Sequence, residues 1–243
     1  MDALLSLRDV SLSFARGRRH VVPVFSNVSL DVHAGELVAV LAQRSQGKTA
    51  LLRVAGGYDR PARGEVLLNG EDLSRMSDRH WSQVQRRFIG FTDPGGPDLE
   101  LPALTYVAGA TFSTLGKRVA YDRARAALNR VGVGDLAGQR WPEMSDSERA
   151  LVALAQGIVR KPALLLVDDL TAPLGIDVKE LIGRLLRSIA EEEQMAVLMC
   201  ASHADATTWF DRVATISGGE LLLPPPEPQE KVVDFDHLRR ISG

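Results

Sequence analysis

Residues 37–49 read Leu37-Val38-Ala39-Val40-Leu41-Ala42-Gln43-Arg44-Ser45-Gln46-Gly47-Lys48-Thr49, and their order decides the fold. The apolar run Leu37 to Leu41 is the kind that forms a strand buried on both faces. It leads directly into Ala42 to Thr49, which matches most of the pattern G-x-x-x-x-G-K-[ST]. That pattern binds phosphate because glycines let backbone N–H groups converge on the oxygens, the lysine reaches the β and γ groups, and the hydroxyl serves magnesium. Gly47, Lys48 and Thr49 fit. Ala42 stands at the first glycine, and Ser45 and Gln46 occupy loop positions where many such loops carry small residues or glycine. Arg44, Ser45, Gln46, Gly47, Lys48 and Thr49 are therefore the candidate phosphate-binding residues. Alone, the octapeptide also suits an ordinary strand-to-helix turn with an exposed lysine, so the rest of the chain must choose.

Downstream, helix and strand alternate. A helix is expected from Ser145 to about Arg160, then a buried strand Ala163–Val167, a helix Asp177–Glu193 and a buried strand Ala196–Cys200. Repeated units of this kind predict a parallel sheet. Upstream, Leu4–Phe14 and Val28–Val32 alternate in period two around Arg16, Arg18 and Arg19, a basic cluster read as a solvated hairpin tip. Gly64–Gly70 reads as a further strand and Asp78–Arg86 as a polar helix, so the early region is expected to be mainly antiparallel. Between about Thr92 and Arg140 the pattern turns helical, entered through Asp93-Pro94-Gly95-Gly96-Pro97 and containing a helix Asp122–Val131, as in an inserted lobe. After Asp211-Arg212 short strands return around Gly218-Gly219. Pro224-Pro225-Pro226-Glu227-Pro228 then opens a tail, in which Val232–Arg240 is a candidate docking segment.

The 243 residues suffice for one large domain or two small ones. With 29 basic and 31 acidic residues the net charge is −2, which argues against a nucleic-acid surface. The longest apolar runs, such as Leu37–Ala42 and Ala196–Ala201, fall far short of the roughly 20 residues that span a bilayer. Met1 to Val10 carry no secretory pattern and the single Cys200 has no intrachain partner, so the cytoplasm is the expected compartment. His20, His33, His80, His203 and His237 are scattered and make no metal motif. Cys200 reads as a small buried hydrophobe and Glu191-Glu192-Glu193 as a solvated helix end.

From about Leu5 to Leu222 these ordered pieces resemble the ATP-binding subunit of ABC transporters. Asn27-Val28-Ser29-Leu30-Asp31-Val32 with Gly35-Glu36 looks like that family's approach to its phosphate loop, and Arg63-Gly64-Glu65-Val66 and Ile89-Gly90-Phe91 are similarly placed. Leu164-Leu165-Leu166-Val167-Asp168 resembles the Walker B strand, Ser202-His203 the switch histidine, and Asp211-Arg212-Val213 and Gly218-Gly219-Glu220 complete the match. The stretch from Phe88 to Thr105 looks closest to the lipoprotein-exporter and macrolide-exporter type. The resemblance implies an α/β fold, a P-loop NTPase of ABC type, with a mixed core sheet, an antiparallel β subdomain and an inserted helical subdomain at about 92–160. The ATP-binding domain would cover 1–222 and the tail 223–243. It further implies ATP and Mg2+ as cofactors, Phe14 stacked on adenine, Thr49 and Asp168 at the metal, and His203 as a hydrolytic sensor.

The chain also departs from that family. Its signature LSGGQ, which grips the γ-phosphate of ATP on the opposite subunit, is here Met144-Ser145-Asp146-Ser147-Glu148. Ser145 and Glu148 have the spacing of a capping box, which satisfies a helix N-terminus without a nucleotide. A carboxylate about 5 Å from a phosphate charge costs roughly 3 kcal/mol at an effective dielectric of 20. Asp169 replaces the catalytic glutamate one methylene short, and a displacement of about 1 Å can cost a hundredfold in rate. The glutamine expected after Phe91 has no counterpart from Thr92 to Pro97, and Gly175 stands at the aspartate of the D-loop. The expectation is a degenerate subunit on the cytoplasmic face of the membrane, peripheral, with weak or absent hydrolysis. It would pair with a second, more standard ABC ATP-binding subunit and couple to an integral membrane permease, with no nucleic acid as partner. The alternative is a slow but genuine ATPase working through Asp169 and His203. A soluble ABC protein of translation or repair is disfavoured, because a single ABC domain is present with no basic or long coiled-coil extension.

Overall fold

The computed structural model describes residues 3–16, 20–43, 46–92, 95–97, 100–172, 174–202 and 209–223. Two sheets carry the architecture. The first is antiparallel, in the order β2-β1-β4-β5, from β1 (Leu5–Arg16), β2 (His20–Val32), β4 (Arg63–Leu68) and β5 (Glu71–Asp72). The second runs β10-β9-β3-β8-β7-β6, from β3 (Leu37–Ala42), β6 (Ile89–Thr92), β7 (Leu164–Asp168), β8 (Ala196–Ala201), β9 (Arg212–Ser217) and β10 (Glu220–Leu222). It is parallel from β9 to β6, and β10 alone is antiparallel. The expected mixed core sheet beside an antiparallel sheet is thus the fold observed.

The continuous apolar runs explain why β3, β7 and β8 lie centrally. Strand side chains alternate between faces, so a strand covered on both sides needs no polar positions. On one face Val38, Val40, Leu164, Leu166, Leu198 and Cys200 join the core shared with the antiparallel sheet and α1 (Lys48–Ala55). On the other, Leu37, Leu165, Val167, Val197 and Met199 join a core shared with α5 (Asp146–Ile158) and α6 (Ile176–Glu193). The polar helix α2 (Asp78–Phe88) precedes β6.

Between β6 and β7 the chain forms α3 (Ala103–Gly109), α4 (Lys117–Arg130) and α5, which pack on one another. Helix α4 starts well before the expected Asp122. Ala120, Ala124, Ala127 and Leu128 form its buried stripe, and the polar residues between them mask the early turns in the sequence. Helix α5 also presses on β6 so closely that a Cβ on Gly90 would stand 2.3 Å from the Gly157 carbonyl oxygen. Strand β2 is longer than the expected Val28–Val32. It lies at the sheet edge, where Pro23, opposite Ser13, lacks only a hydrogen bond that an edge strand can spare. The β1–β2 register reaches Arg16 opposite His20, in keeping with a hairpin, while Arg18 and Arg19, read from the sequence as part of its tip, lie outside the described residues, as do Asp93-Pro94 and the tail from Pro224. Among the described residues no helix is long and apolar enough to cross a membrane.

Candidate functional site

The site forms where β3, β8 and β7 end side by side, at the carboxyl edge of the parallel sheet. The start of β3 is pinned by Asp211. Its carboxylate accepts from the Leu37 N–H at 2.8 Å and from Arg187 at 2.9 Å, while its own N–H donates to the Leu37 carbonyl. Burial pushes the Asp211 carboxyl upward, yet these donors outweigh it and hold the group below the usual aspartate range.

After β3 the loop closes on itself. The Gln43 N–H donates to the Gln46 side-chain oxygen at 3.0 Å, and the Gln46 N–H returns to the Gln43 carbonyl. Gln46 is therefore a brace of the loop. Gly47 then takes φ 87°, and a Cβ there would meet Val24 Cγ1 at 2.6 Å, so both conformation and space demand glycine. Helix α1 begins at Lys48 with no side-chain cap, leaving its first amides for an anion.

Lys48 is buried and its ammonium turns back along the strand ends. It donates to the Ala42 carbonyl at 3.2 Å and to the Ser202 hydroxyl, and lies 3.0 Å from Asp169 Oδ2. Ser202 also donates to Asp169 Oδ2. Asp169 sits at φ 41° with its N–H on the Cys200 carbonyl, and its Oδ1 is buried with no hydrogen-bond partner among the described residues. Beside it, the Thr49 hydroxyl donates to Asp168 Oδ2 at 2.6 Å. One hydroxyl and one carboxylate oxygen in contact suit a hard cation such as Mg2+. No cluster of three acidic, histidine or cysteine side chains that would hold a metal occurs among the described residues, so phosphate and water oxygens would have to complete the shell. Cys200, fully buried behind Lys48, has its thiol pushed well above the ordinary value by burial and by the nearby Asp168 charge.

The structure thus gathers the pair Lys48 and Thr49 with the pair Asp168 and Asp169, far along the chain from it. Ser202 joins them without having been assigned a role from sequence; the polar residue ending a buried strand was the available signal. Phe14 lies on β1 opposite Val22 and is about half exposed. Ser145 caps α5. Its N–H donates to Glu148 Oε2 at 2.7 Å, its hydroxyl accepts from the Glu148 N–H, and the backbone donor holds the Glu148 carboxyl below the usual range. Among the described residues no hydrogen bond joins Ser145 to the Lys48 group. Arg44, Ser45 and His203 lie outside the described residues.

A second surface feature is a groove of about 600 Å3 between α2 and the α3–α4 segment, lined by Arg86, Arg87, Arg123 and Arg160. Arg160 donates to the Ala110 carbonyl, and burial lowers the pKa of its guanidinium. Among the described residues none of the four forms an ion pair and no carboxylate lines the groove.

Residues 25–172 match the family model described as ABC transporter. The chain is 31% identical over 224 residues to the lipoprotein-releasing system ATP-binding protein LolD of Pseudomonas syringae pv. tomato, covering 90% of this chain and 97% of that protein. With LolD of Myxococcus xanthus the identity is 34% over 90% of this chain and 98% of the relative. Among solved structures, dimeric MJ0796, a bacterial ABC transporter cassette, superposes with TM-score 0.82 at 23% identity, over 89% of this chain and 96% of that one. The cassette is also known in a post-hydrolysis state bound to ADP and Pi, with the same TM-score and coverage. CbiO1 from Clostridium perfringens, part of the cbiONQ transporter complex, gives 0.80 at 21% identity over 99% and 95%.

Proposed function

The chain belongs to the ABC transporter family, and from that premise we propose that it is an ATP-binding subunit that couples nucleotide binding to a membrane permease while hydrolysing ATP weakly or not at all. The observation that carries the reading is the Lys48, Thr49 and Asp168 group assembled at the strand ends beside an uncapped helix N-terminus. Lys48 and the α1 amides would receive the phosphates of MgATP, and Thr49 and Asp168 would hold the cation, which would supply charge neutralisation. Asp169 is the candidate base for water, assisted by His203. The short reach of Asp169 supports slow chemistry.

Two features support a second, more standard ABC subunit as partner. The N-terminus of α5 is already satisfied by Ser145 and Glu148, and it carries two acids, Asp146 and Glu148, where an opposing γ-phosphate would sit. A partner with an intact signature would complete the site built on Lys48. The arginine-lined groove supports docking on the permease at the cytoplasmic face of the membrane, and the lipoprotein-releasing relatives support a permease of exporter type. Calorimetric titration of the purified chain with MgATP, with Lys48→Ala as control, tests the reading. Binding lost in the variant is expected; equal binding by both proteins would refute the assigned site. A slow but genuine ATPase is the second reading, favoured by the retention of a carboxylate at Asp169, and turnover with candidate partners separates the two.

A further inference from the structure

We infer that Asp169 is an affinity-setting latch on the phosphate loop, holding Lys48 away from nucleotide until the triphosphate displaces it. The inference rests on the reading that this loop binds ATP. An ammonium group has three N–H donors. In Lys48 two of them have acceptors within the chain, the Ala42 carbonyl and the Ser202 hydroxyl, and the ammonium is ion-paired with the Asp169 carboxylate at 3.0 Å. A phosphate oxygen drawn to this ammonium must therefore compete with those partners.

Asp169 is the partner whose replacement matters, because it alone carries charge. Strand order makes the contact possible. β8 lies between β3 and β7, so Ser202 at its end bridges Lys48, which follows β3, to Asp169, which follows β7. The left-handed backbone at Asp169, φ 41°, turns the short side chain onto this bridge. The latched state is poised because its other oxygen, Oδ1, is buried with no hydrogen-bond partner among the described residues, a cost that release of the carboxylate would relieve. Asp169 thus acts on binding through Lys48, separately from any part it takes in hydrolysis.

The test is MgATP affinity, measured by calorimetry on the full chain. Asp169→Asn keeps size and hydrogen bonding but removes the charge, and about tenfold tighter binding is expected, the equivalent of one charge-assisted hydrogen bond. Unchanged or weaker binding overturns the latch while leaving the ATP-binding reading in place. Added to Lys48→Ala, Asp169→Asn should restore no binding. A gain there equal to that in the lysine-containing chain would assign the effect to general charge repulsion and overturn the latch. Should Asp169→Asn fail to fold, Ser202→Ala carries the test, with several-fold tighter binding expected and no change overturning it. Failure of every folded variant and of the parent chain to bind MgATP overturns both the latch and the reading beneath it.

Discussion

The Ser145 N–H donates to the Glu148 carboxylate at 2.7 Å, and the Ser145 hydroxyl accepts from the Glu148 N–H at 3.3 Å. This reciprocal pair closes the N-terminus of α5 from within. A helix end otherwise offers unpaired amides and partial positive charge to an anion. Here Glu148 takes up both, so the residue that stabilises the helix also competes with any phosphate brought to it.

The combined change Asp146→Gly, Ser147→Gly and Glu148→Gln should therefore raise the ATP affinity of the chain assembled with its ATP-binding partner. The same change should lower the melting temperature of the isolated chain, because the capping box is lost and two glycines enter the first turn. Unaltered affinity in the assembly would show that the acidic signature is not the limiting defect.

Lys48→Ala should abolish MgATP binding while leaving the chain folded. Asp169 keeps partial contact with water and retains the Ser202 hydroxyl, so loss of the ammonium does not strand a fully buried charge. Calorimetry and thermal melting read the two halves of this prediction. A chain that unfolds instead would mean that the ion pair is structural.

Asp211→Ala should destabilise the chain by about 2 kcal/mol, since the buried Leu37 N–H loses its side-chain acceptor. The sign of the pH effect follows from the lowered carboxyl. Its stabilisation is complete above the ordinary aspartate value of 3.8 and is lost as pH falls through the lower folded value. The difference between Asp211→Asn and the parent chain, followed by denaturant titration, should thus shrink in acid. A difference that grows below pH 4 would contradict the assignment.

Gly90→Ala should be severely destabilising, on the order of 3 kcal/mol, because the added methyl would meet backbone at 2.3 Å and the α5 to β6 contact cannot yield as a side chain does. A melting temperature within a few degrees of the parent would show that the helix can lift from the strand.

Cys200 should resist thiol reagents at neutral pH in the folded chain and react at once in denaturant. Its sulfur is buried and its thiolate disfavoured, first by desolvation and then by Asp168. Labelling of the native protein as fast as in denaturant would place the thiol at the surface.

What the sequence by itself determined was the family-level architecture and the character of the local elements. The apolar runs of β3, β7 and β8 specify strands buried on both faces, Gly47-Lys48-Thr49 specifies a strand-loop-helix junction, and Ser145 with Glu148 specifies a helix start, because each depends on residues a few positions apart. The first turns of α4 and the early half of β2 were not legible, since polar surface residues and an edge-strand proline obscure periodicity. Only the tertiary structure decided which groups meet. Lys48 reaches Ser202 across 154 residues, and Asp169 joins them because β8 lies between β3 and β7 in the sheet. Pairing order and register are set by the packing of whole layers against one another, so the constellation that governs Lys48 exists only once those three strands lie side by side.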